Sequence, residues 1–162
     1  MRGPAVVLRF SAVMTAEPLQ AADVPQSPVS PPRTRRALVI DDDALSRCML
    51  RDALVERGFE VITASDGVTG LQVLCEELLR LDVLITDLFM PGLDGGSLVR
   101  QIRGPGGETE LAVLLVTAAA PAELAALPPT GADVVLRKDI GPEEIARIAD
   151  AVVARRRAGR TA

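Results

Sequence analysis

The sequence contains no histidine, no tryptophan and no tyrosine, and its 162 residues include only three phenylalanines, two cysteines and one lysine. Without histidine, the chain cannot form a Ser–His or Cys–His catalytic pair or a common zinc site. Cys48 and Cys75 are too few for a disulfide scaffold and too far apart for a metal knuckle, and we expect both to be small buried residues. The scarcity of aromatic side chains argues against a surface that stacks nucleobases.

Long hydrophobic segments are also missing. No apolar run approaches the roughly 18 residues that a membrane-spanning helix needs. The stretch from Ala5 to Met14 is interrupted by Arg9, so it does not make a clean signal-peptide core. These features favour a cytoplasmic protein without a membrane span.

Charge is unevenly distributed along the chain. The formal net charge is -4, but residues 1–36 carry +3 and residues 155–162 carry +4, which leaves -11 between them. Duplex binding depends on neutralising phosphates, so an acidic body does not suit a nucleic-acid-binding protein. We therefore expect no direct nucleic-acid partner.

Residues 1–36 differ in composition from the rest of the chain. Five prolines fall between Pro18 and Pro32, among Gln, Ser and Ala. Proline at this density blocks helices and sheets, so the sequence predicts a disordered extension over 1–36. Met14 is an alternative start to Met1, and the sequence does not decide between them.

From residue 37 onward, five short apolar runs alternate with five amphipathic stretches. The predicted strands are Ala37–Ile40, Phe59–Thr63, Asp82–Thr86, Leu111–Val116 and Asp133–Leu136. The predicted helices are Leu45–Arg57, a helix capped by Asp66 that runs to Leu79, Gly95–Arg103, Pro121–Leu127, and one from Pro142 to about Arg156. Continuous apolar strands alternating with helices predict an α/β fold, a doubly wound parallel sheet. The folded domain is expected at 37–156, with a basic tail at 157–162.

Polar residues follow four of the predicted strands. The first strand ends in Asp41-Asp42-Asp43, the third in Asp87, the fourth in Thr117 and the fifth in Arg137-Lys138. Sites in doubly wound folds lie at the carboxyl ends of the strands, so these groups should share one edge. Clustered carboxylates repel one another, and Mg²⁺ takes such oxygen ligands. The acidic triplet alone could equally be a polar turn that caps a helix.

Lys138 is the one lysine beside 17 arginines. A compact ammonium differs from a planar guanidinium in geometry, which suggests a specific role at this strand end. A carboxylate between a metal ion and an ammonium suits attack on a phosphoryl group, because both cations can take charge from its oxygens.

These motifs together resemble the receiver domain of two-component response regulators, in a stand-alone CheY-like form. The resemblance rests on Leu38–Asp43, on Ile85–Gly95 (ITDLFMPGLDG), on Leu115–Ala118 and on Lys138. It covers the whole predicted domain. It implies a flavodoxin-like (βα)5 sheet with strand order 2-1-3-4-5.

The resemblance also assigns roles to residues. It implies that Asp87 accepts the phosphoryl group and that Thr117 and Lys138 contact it. It implies Mg²⁺ as the cofactor, held by Asp42, by Asp87, by the backbone carbonyl of Phe89 and, through water, by Asp41.

Two positions depart from the family pattern, and two others bear on the lifetime of the phosphoryl group. Asp139 follows the lysine where proline is frequent, and Val135 takes the place of the switch aromatic. Phe89 and Ala119 occupy positions that border the hydrolytic water in this family, and neither can orient water. The chain is thus expected to be no enzyme beyond self-phosphorylation and slow loss of the phosphoryl group.

The favoured function is a phosphoaccepting receiver of a phosphorelay. Its expected partners are a sensor histidine kinase or histidine phosphotransfer protein and an unidentified downstream protein; homodimerisation is left open. The alternative is a phosphorylation-independent adaptor or dimerisation module. A third hypothesis is an aspartyl phosphatase, which needs a second acid two residues after the nucleophile. Phe89 occupies that position after Asp87. Asp41 and Asp43 have the required spacing, but this assignment leaves the other motifs unexplained.

Overall fold

The computed structural model describes residues 33–104, 110–125 and 128–159. Five parallel strands form one sheet in the order β2-β1-β3-β4-β5. The strands are β1 Arg35–Ile40, β2 Phe59–Ala64, β3 Val83–Asp87, β4 Ala112–Thr117 and β5 Val134–Arg137. The helices are α1 Ala44–Glu56, α2 Gly67–Glu77, α3 Gly95–Arg103, α4 Pro121–Ala125 and α5 Pro142–Ala158. The predicted fold class and strand order are confirmed.

Two apolar layers hold the helices to the two faces of the sheet. Leu50 and Leu54 of α1 pack with Ile145 and Val153 of α5 on one face. Leu74 of α2 and Leu98 of α3 belong to the layer on the other face. Strands β3 and β4 are buried along their whole length, as their continuous apolar runs predict.

The first strand begins two residues before its predicted start at Ala37. Strand β1 starts at Arg35, which pairs in register with Phe59. The Arg35 guanidinium lies 4.5 Å from the centroid of the Phe59 ring, so an arginine contributes packing to the strand. The rest of the predicted disordered extension, residues 1–32, lies outside the described residues.

The carboxyl end also differs from the prediction. Helix α5 runs to Ala158, two residues past the predicted end, because its last turn is tied down by charge pairs. Arg157 donates to Asp82 at 2.8 Å, and Arg156 pairs with Asp133. The start of the predicted tail is therefore helical, while residues 160–162 lie outside the described part of the chain.

Two smaller expectations have different outcomes. Helix α4 is short and ends at Ala125 in the described residues, and positions 126 and 127 of the predicted helix fall outside them. The prediction that Cys48 and Cys75 are buried is wrong, since both are exposed. They lie off the buried stripes of α1 and α2, which Leu50, Leu54 and Leu74 occupy.

Candidate functional site

Four strand ends bring the predicted site residues to one edge of the sheet. Asp41 directly follows β1, Asp87 ends β3, Thr117 ends β4 and Lys138 directly follows β5. These strands are neighbours and parallel, so their carboxyl ends meet. Ser46 in the first turn of α1 and Phe89 in the loop after β3 donate hydrogen bonds to the carboxylates of this edge.

An ion-pair cluster forms the centre of this edge. Lys138 Nζ lies 2.6 Å from Asp87 Oδ2 and 2.9 Å from Asp41 Oδ2. Both carboxylates are buried, and the lysine side chain is 24% exposed. The ammonium of the single lysine is thus shared between two acids in a poorly solvated setting, where charge interactions are strong.

Burial and the ion pair together shift the pKa values of Asp87 and Lys138. Burial raises the pKa of Asp87, because the charged carboxylate is poorly solvated, while the hydrogen bond from Lys138 opposes that rise. Burial lowers the pKa of Lys138, but its hydrogen bonds to Asp87 and Asp41 outweigh burial and raise the pKa overall. The lysine therefore stays protonated beside the two acids.

Asp41 is held by three donors. Its Oδ1 accepts the backbone N–H of Asp43 at 2.9 Å, and its Oδ2 accepts the Ser46 hydroxyl at 2.8 Å as well as Lys138. Asp43 itself is the N-cap of α1 and accepts the N–H of Ser46 at 2.6 Å. The first helical turn therefore fixes the orientation of the Asp41 carboxylate.

Asp42 differs from its neighbour. Its residue is exposed, and its carboxylate has no hydrogen-bonding partner among the described residues. One carboxylate oxygen each of Asp41, Asp42 and Asp87 lies within 4.8 Å of the other two. Three converging carboxylates, one of them open to solvent, fit a hard divalent cation such as Mg²⁺.

The remaining predicted residues are arranged differently. Phe89 donates its backbone N–H to Asp87 Oδ1 at 3.2 Å, and the residue is 54% exposed. The Thr117 side chain is buried, and its Oγ1 accepts the N–H of Ala119 at 3.0 Å. In the residues that the structure describes, no hydrogen bond joins Thr117 to Asp87, so its predicted contact with the phosphoryl group stays a prediction.

The sequence reasoning missed Ser46. Its hydroxyl enters the cluster from α1, next to a cavity of about 270 Å³ between α1 and the start of α5. Met49, Val116 and Pro142 also line this cavity. A signal was available, because Ser46 stands four residues before Leu50 on the buried side of an amphipathic helix.

Comparison with known proteins identifies the class to which this fold and site belong. The family model of the response regulator receiver domain matches residues 37–150. The chain therefore belongs to the response regulator receiver domain family, whose setting is two-component signalling. The predicted family is confirmed.

Particular relatives give the same result. The response regulator MprA of Mycobacterium tuberculosis is 38% identical over 110 residues, which cover 68% of this chain and 46% of that protein. The chain thus spans about half the length of the curated relatives it matches. A receiver domain from Clostridium thermocellum has a TM-score of 0.66 at 29% identity, covering 76% of this chain and 98% of that one.

A further solved structure, TrrA of Thermotoga maritima, was determined in complex with Mg²⁺ and BeF. It has a TM-score of 0.63 at 27% identity and covers 73% of this chain and 98% of its own. Among the described residues of the present chain, no helix is long and apolar enough to cross a membrane.

Proposed function

We propose that the protein is a phosphoaccepting receiver and that Asp87 takes a phosphoryl group from the phosphohistidine of a sensor kinase or phosphotransfer protein. The observation that carries the proposal is the Asp87 carboxylate itself, buried at a strand end with an ammonium at 2.6 Å and two further carboxylates nearby. Buried acids of this kind are frequent at reactive sites.

The reaction is a displacement at phosphorus. An Asp87 oxygen forms a bond to phosphorus while the bond from phosphorus to the donor nitrogen breaks, and the donor imidazole leaves with the electron pair of that bond. Asp42, Asp87 and the carbonyl of Phe89 would hold Mg²⁺, with Asp41 acting through water. When bound, the ion supplies positive charge that stabilises the phosphoryl oxygens.

Two side chains serve the phosphorylated form in this proposal. Lys138 moves from the Asp41 and Asp87 carboxylates to a phosphoryl oxygen, a short shift for an ammonium on a flexible stem. Thr117 exchanges its bond with the N–H of Ala119 for one to another phosphoryl oxygen.

Loss of the phosphoryl group should be slow. The exposed Phe89 ring stands beside Asp87, and Ala119 offers no side-chain polar atom. Neither residue can orient a water molecule for attack on phosphorus, so we propose a long-lived phosphoprotein with no other enzymatic activity. It would signal through protein contacts or pass the group onward.

The proposal is tested by intact mass after incubation with acetyl phosphate and Mg²⁺. The parent chain and the control Asp139→Asn, an exposed acid next to the lysine, should gain one phosphoryl group, and Asp87→Asn should gain none. The same sample, followed after removal of the donor, should not lose the group within seconds. Uptake by Asp87→Asn would place the acceptor elsewhere.

A negative result is resolved with a second donor. If acetyl phosphate fails, phosphoramidate and then a phosphorylated histidine kinase are tried in its place, since both carry the P–N bond of the proposed donor. No uptake from any of the three would reject the proposal in favour of the phosphorylation-independent adaptor.

A further inference from the structure

Three helices of this domain begin with the same local motif. Each has an aspartate at the N-cap and a hydroxyl residue three positions later, and the backbone N–H of that residue donates to the cap carboxylate. The pairs are Asp43 and Ser46 in α1, Asp66 and Thr69 in α2, and Asp94 and Ser97 in α3. Local sequence alone predicts the same hydrogen bonds in all three.

The hydroxyl groups do not behave alike. Thr69 Oγ1 donates to its own cap, Asp66, at 2.8 Å, and Ser97 Oγ donates to its own cap, Asp94, at 2.7 Å. Ser46 instead donates past its cap to Asp41 Oδ2 at 2.8 Å. The hydroxyl of α1 is therefore used by the acidic cluster and not by the helix end.

Ser46 shares its acceptor atom with the lysine of the site. Asp41 Oδ2 receives both the Ser46 hydroxyl and Lys138 Nζ, and Lys138 is in turn bonded to Asp87. If Lys138 turns to an incoming phosphoryl group, Asp41 loses one of its two side-chain donors. A buried carboxylate without a donor is costly, so the bond that remains becomes important at that moment.

We propose that Ser46 is a positioning residue for phosphoryl uptake, whose hydroxyl holds the Asp41 carboxylate while Lys138 transfers from Asp41 to the phosphoryl group. This inference rests on the proposed function of Asp87. It concerns a residue of α1 that contacts neither Asp87 nor the phosphoryl group itself. Loss of the Ser46 hydroxyl should therefore change the rate of phosphoryl uptake and the environment of Lys138. The N-cap of α1 should remain, because it depends on the backbone N–H of Ser46.

The test compares four proteins: the parent, Ser46→Ala, Ser46→Thr and the matched control Ser97→Ala. The control removes a hydroxyl from the same helical position and the same kind of bond, but away from the cluster. Uptake from acetyl phosphate is measured at fixed pH and Mg²⁺ as a function of donor concentration. Ser46→Ala should lower the maximal rate about fivefold to tenfold, the size of one ordinary intramolecular hydrogen bond, with the half-saturating concentration unchanged.

The conservative variant and the control complete the prediction. Ser46→Thr keeps a hydroxyl and should restore most of the rate, and Ser97→Ala should match the parent. An unchanged rate in Ser46→Ala, or equal losses in Ser46→Ala and Ser97→Ala, would overturn the inference, because the hydroxyl would then have no role or only a structural one.

A second readout is independent of phosphorylation. The chain has one lysine, so selective ¹⁵N labelling of lysine gives one side-chain NMR signal, that of Lys138. Ser46→Ala should shift this signal at fixed pH, and Ser97→Ala should leave it in place. If the parent takes up no phosphoryl group, the proposed function fails, but the NMR signal still shows whether Ser46 affects Lys138 through Asp41. If the signal does not move in Ser46→Ala, only the positioning role of Ser46 is rejected.

Discussion

Two buried aspartates mark the two ends of the β3 region and have opposite surroundings. Asp82 directly precedes the strand and Asp87 ends it, and each residue is 8% exposed. Asp82 lies where the amino ends of the strands meet, and Asp87 lies at the carboxyl ends, in the candidate site. The same residue type, equally buried, is thus placed in two different electrostatic environments within one stretch of chain.

The partners of Asp82 compensate its charge fully. Oδ1 accepts from Arg33 at 3.0 Å and from Arg157 at 2.8 Å, and Oδ2 accepts the backbone N–H of Arg36 at 2.8 Å. These donors come from the start of the domain, from β1 and from the end of α5. Asp82 therefore joins distant parts of the chain, and its oxygens are occupied.

Asp87 has weaker compensation. Its cation, Lys138, is shared with Asp41, whose negative charge also disfavours ionisation of Asp87. Burial alone therefore does not distinguish the carboxylate that joins parts of the fold from the carboxylate of the candidate site. What distinguishes them is whether the neighbouring donors satisfy the acid or leave it in competition with another acid.

The largest effect on stability is expected at Asp82, at the amino ends of the strands. Asp82→Ala removes the carboxylate that the guanidinium groups of Arg33 and Arg157 share, and it leaves the Arg36 N–H unpaired. We expect a loss of about 2–4 kcal/mol in the free energy of unfolding. Urea unfolding followed by far-ultraviolet circular dichroism measures it, since the chain has no tryptophan or tyrosine to report by fluorescence.

The control for this variant is Asp82→Asn, which keeps the size and one acceptor but removes the charge, and should lie between Ala and the parent. The folded fraction of either variant should still take up phosphoryl groups at the parental rate. A loss below about 1 kcal/mol in Asp82→Ala would show that the ion pairs of this end contribute no more than ordinary surface pairs.

An intermediate effect is expected when the lysine beside Asp87 is replaced by arginine. Lys138→Arg keeps the charge but replaces a compact ammonium, which bonds two acids at once, with a larger planar group. We expect the rate of phosphoryl uptake to fall about tenfold, equivalent to about 1.4 kcal/mol. The matched control is Arg157→Lys beside Asp82, which should leave the rate of phosphoryl uptake unchanged. Equal rates in the parent and in Lys138→Arg would mean that a positive charge at position 138 is enough for uptake.

The smallest effect concerns pH and stability. Because burial raises the pKa of Asp87, the folded protein holds this proton more tightly than the unfolded chain does. The corresponding stability is present below the ordinary carboxyl pKa and is lost as the pH rises through the raised pKa. Asp87→Asn cannot ionise, so it should gain stability relative to the parent as the pH rises from about 4 to about 7.

Urea unfolding at both pH values measures this gain, with Asp139→Asn as the exposed control. A gain that is the same at the two pH values, or that shrinks toward neutral pH, would contradict the assignment. Such a result would mean that the bond from Lys138 outweighs the cost of burying the charge.

Much of the fold and of the site follows from local pattern. The apolar runs before Asp41, Asp87 and Thr117 predict parallel strands, and strands of this kind necessarily bring the following residues to one edge. The predicted ends of the elements differ from the observed ones by one or two residues, as at Arg35, which packs on the Phe59 ring, and at Ala158, where ion pairs of Arg156 and Arg157 hold the last helical turn.

Other features could not be predicted in this way. The exposure of Cys48 and Cys75 depends on which side of each helix faces the sheet, and both positions lie off the buried stripe of their helix. The partners of Asp82 come from residues 33, 36 and 157, and no local pattern connects positions so far apart in the chain.

Local sequence is enough to predict the alternation of strands and helices and the acids, hydroxyl residue and single lysine that follow the strands. The packed fold is needed to show that Lys138 bonds both Asp41 and Asp87, and that the Ser46 hydroxyl bonds Asp41 while the Ser97 hydroxyl bonds its own cap. The two differ because local pattern reflects backbone propensity and burial, which act over a few residues. The partner of a polar side chain is instead selected by which groups from distant segments the packed fold leaves within about 3 Å of it.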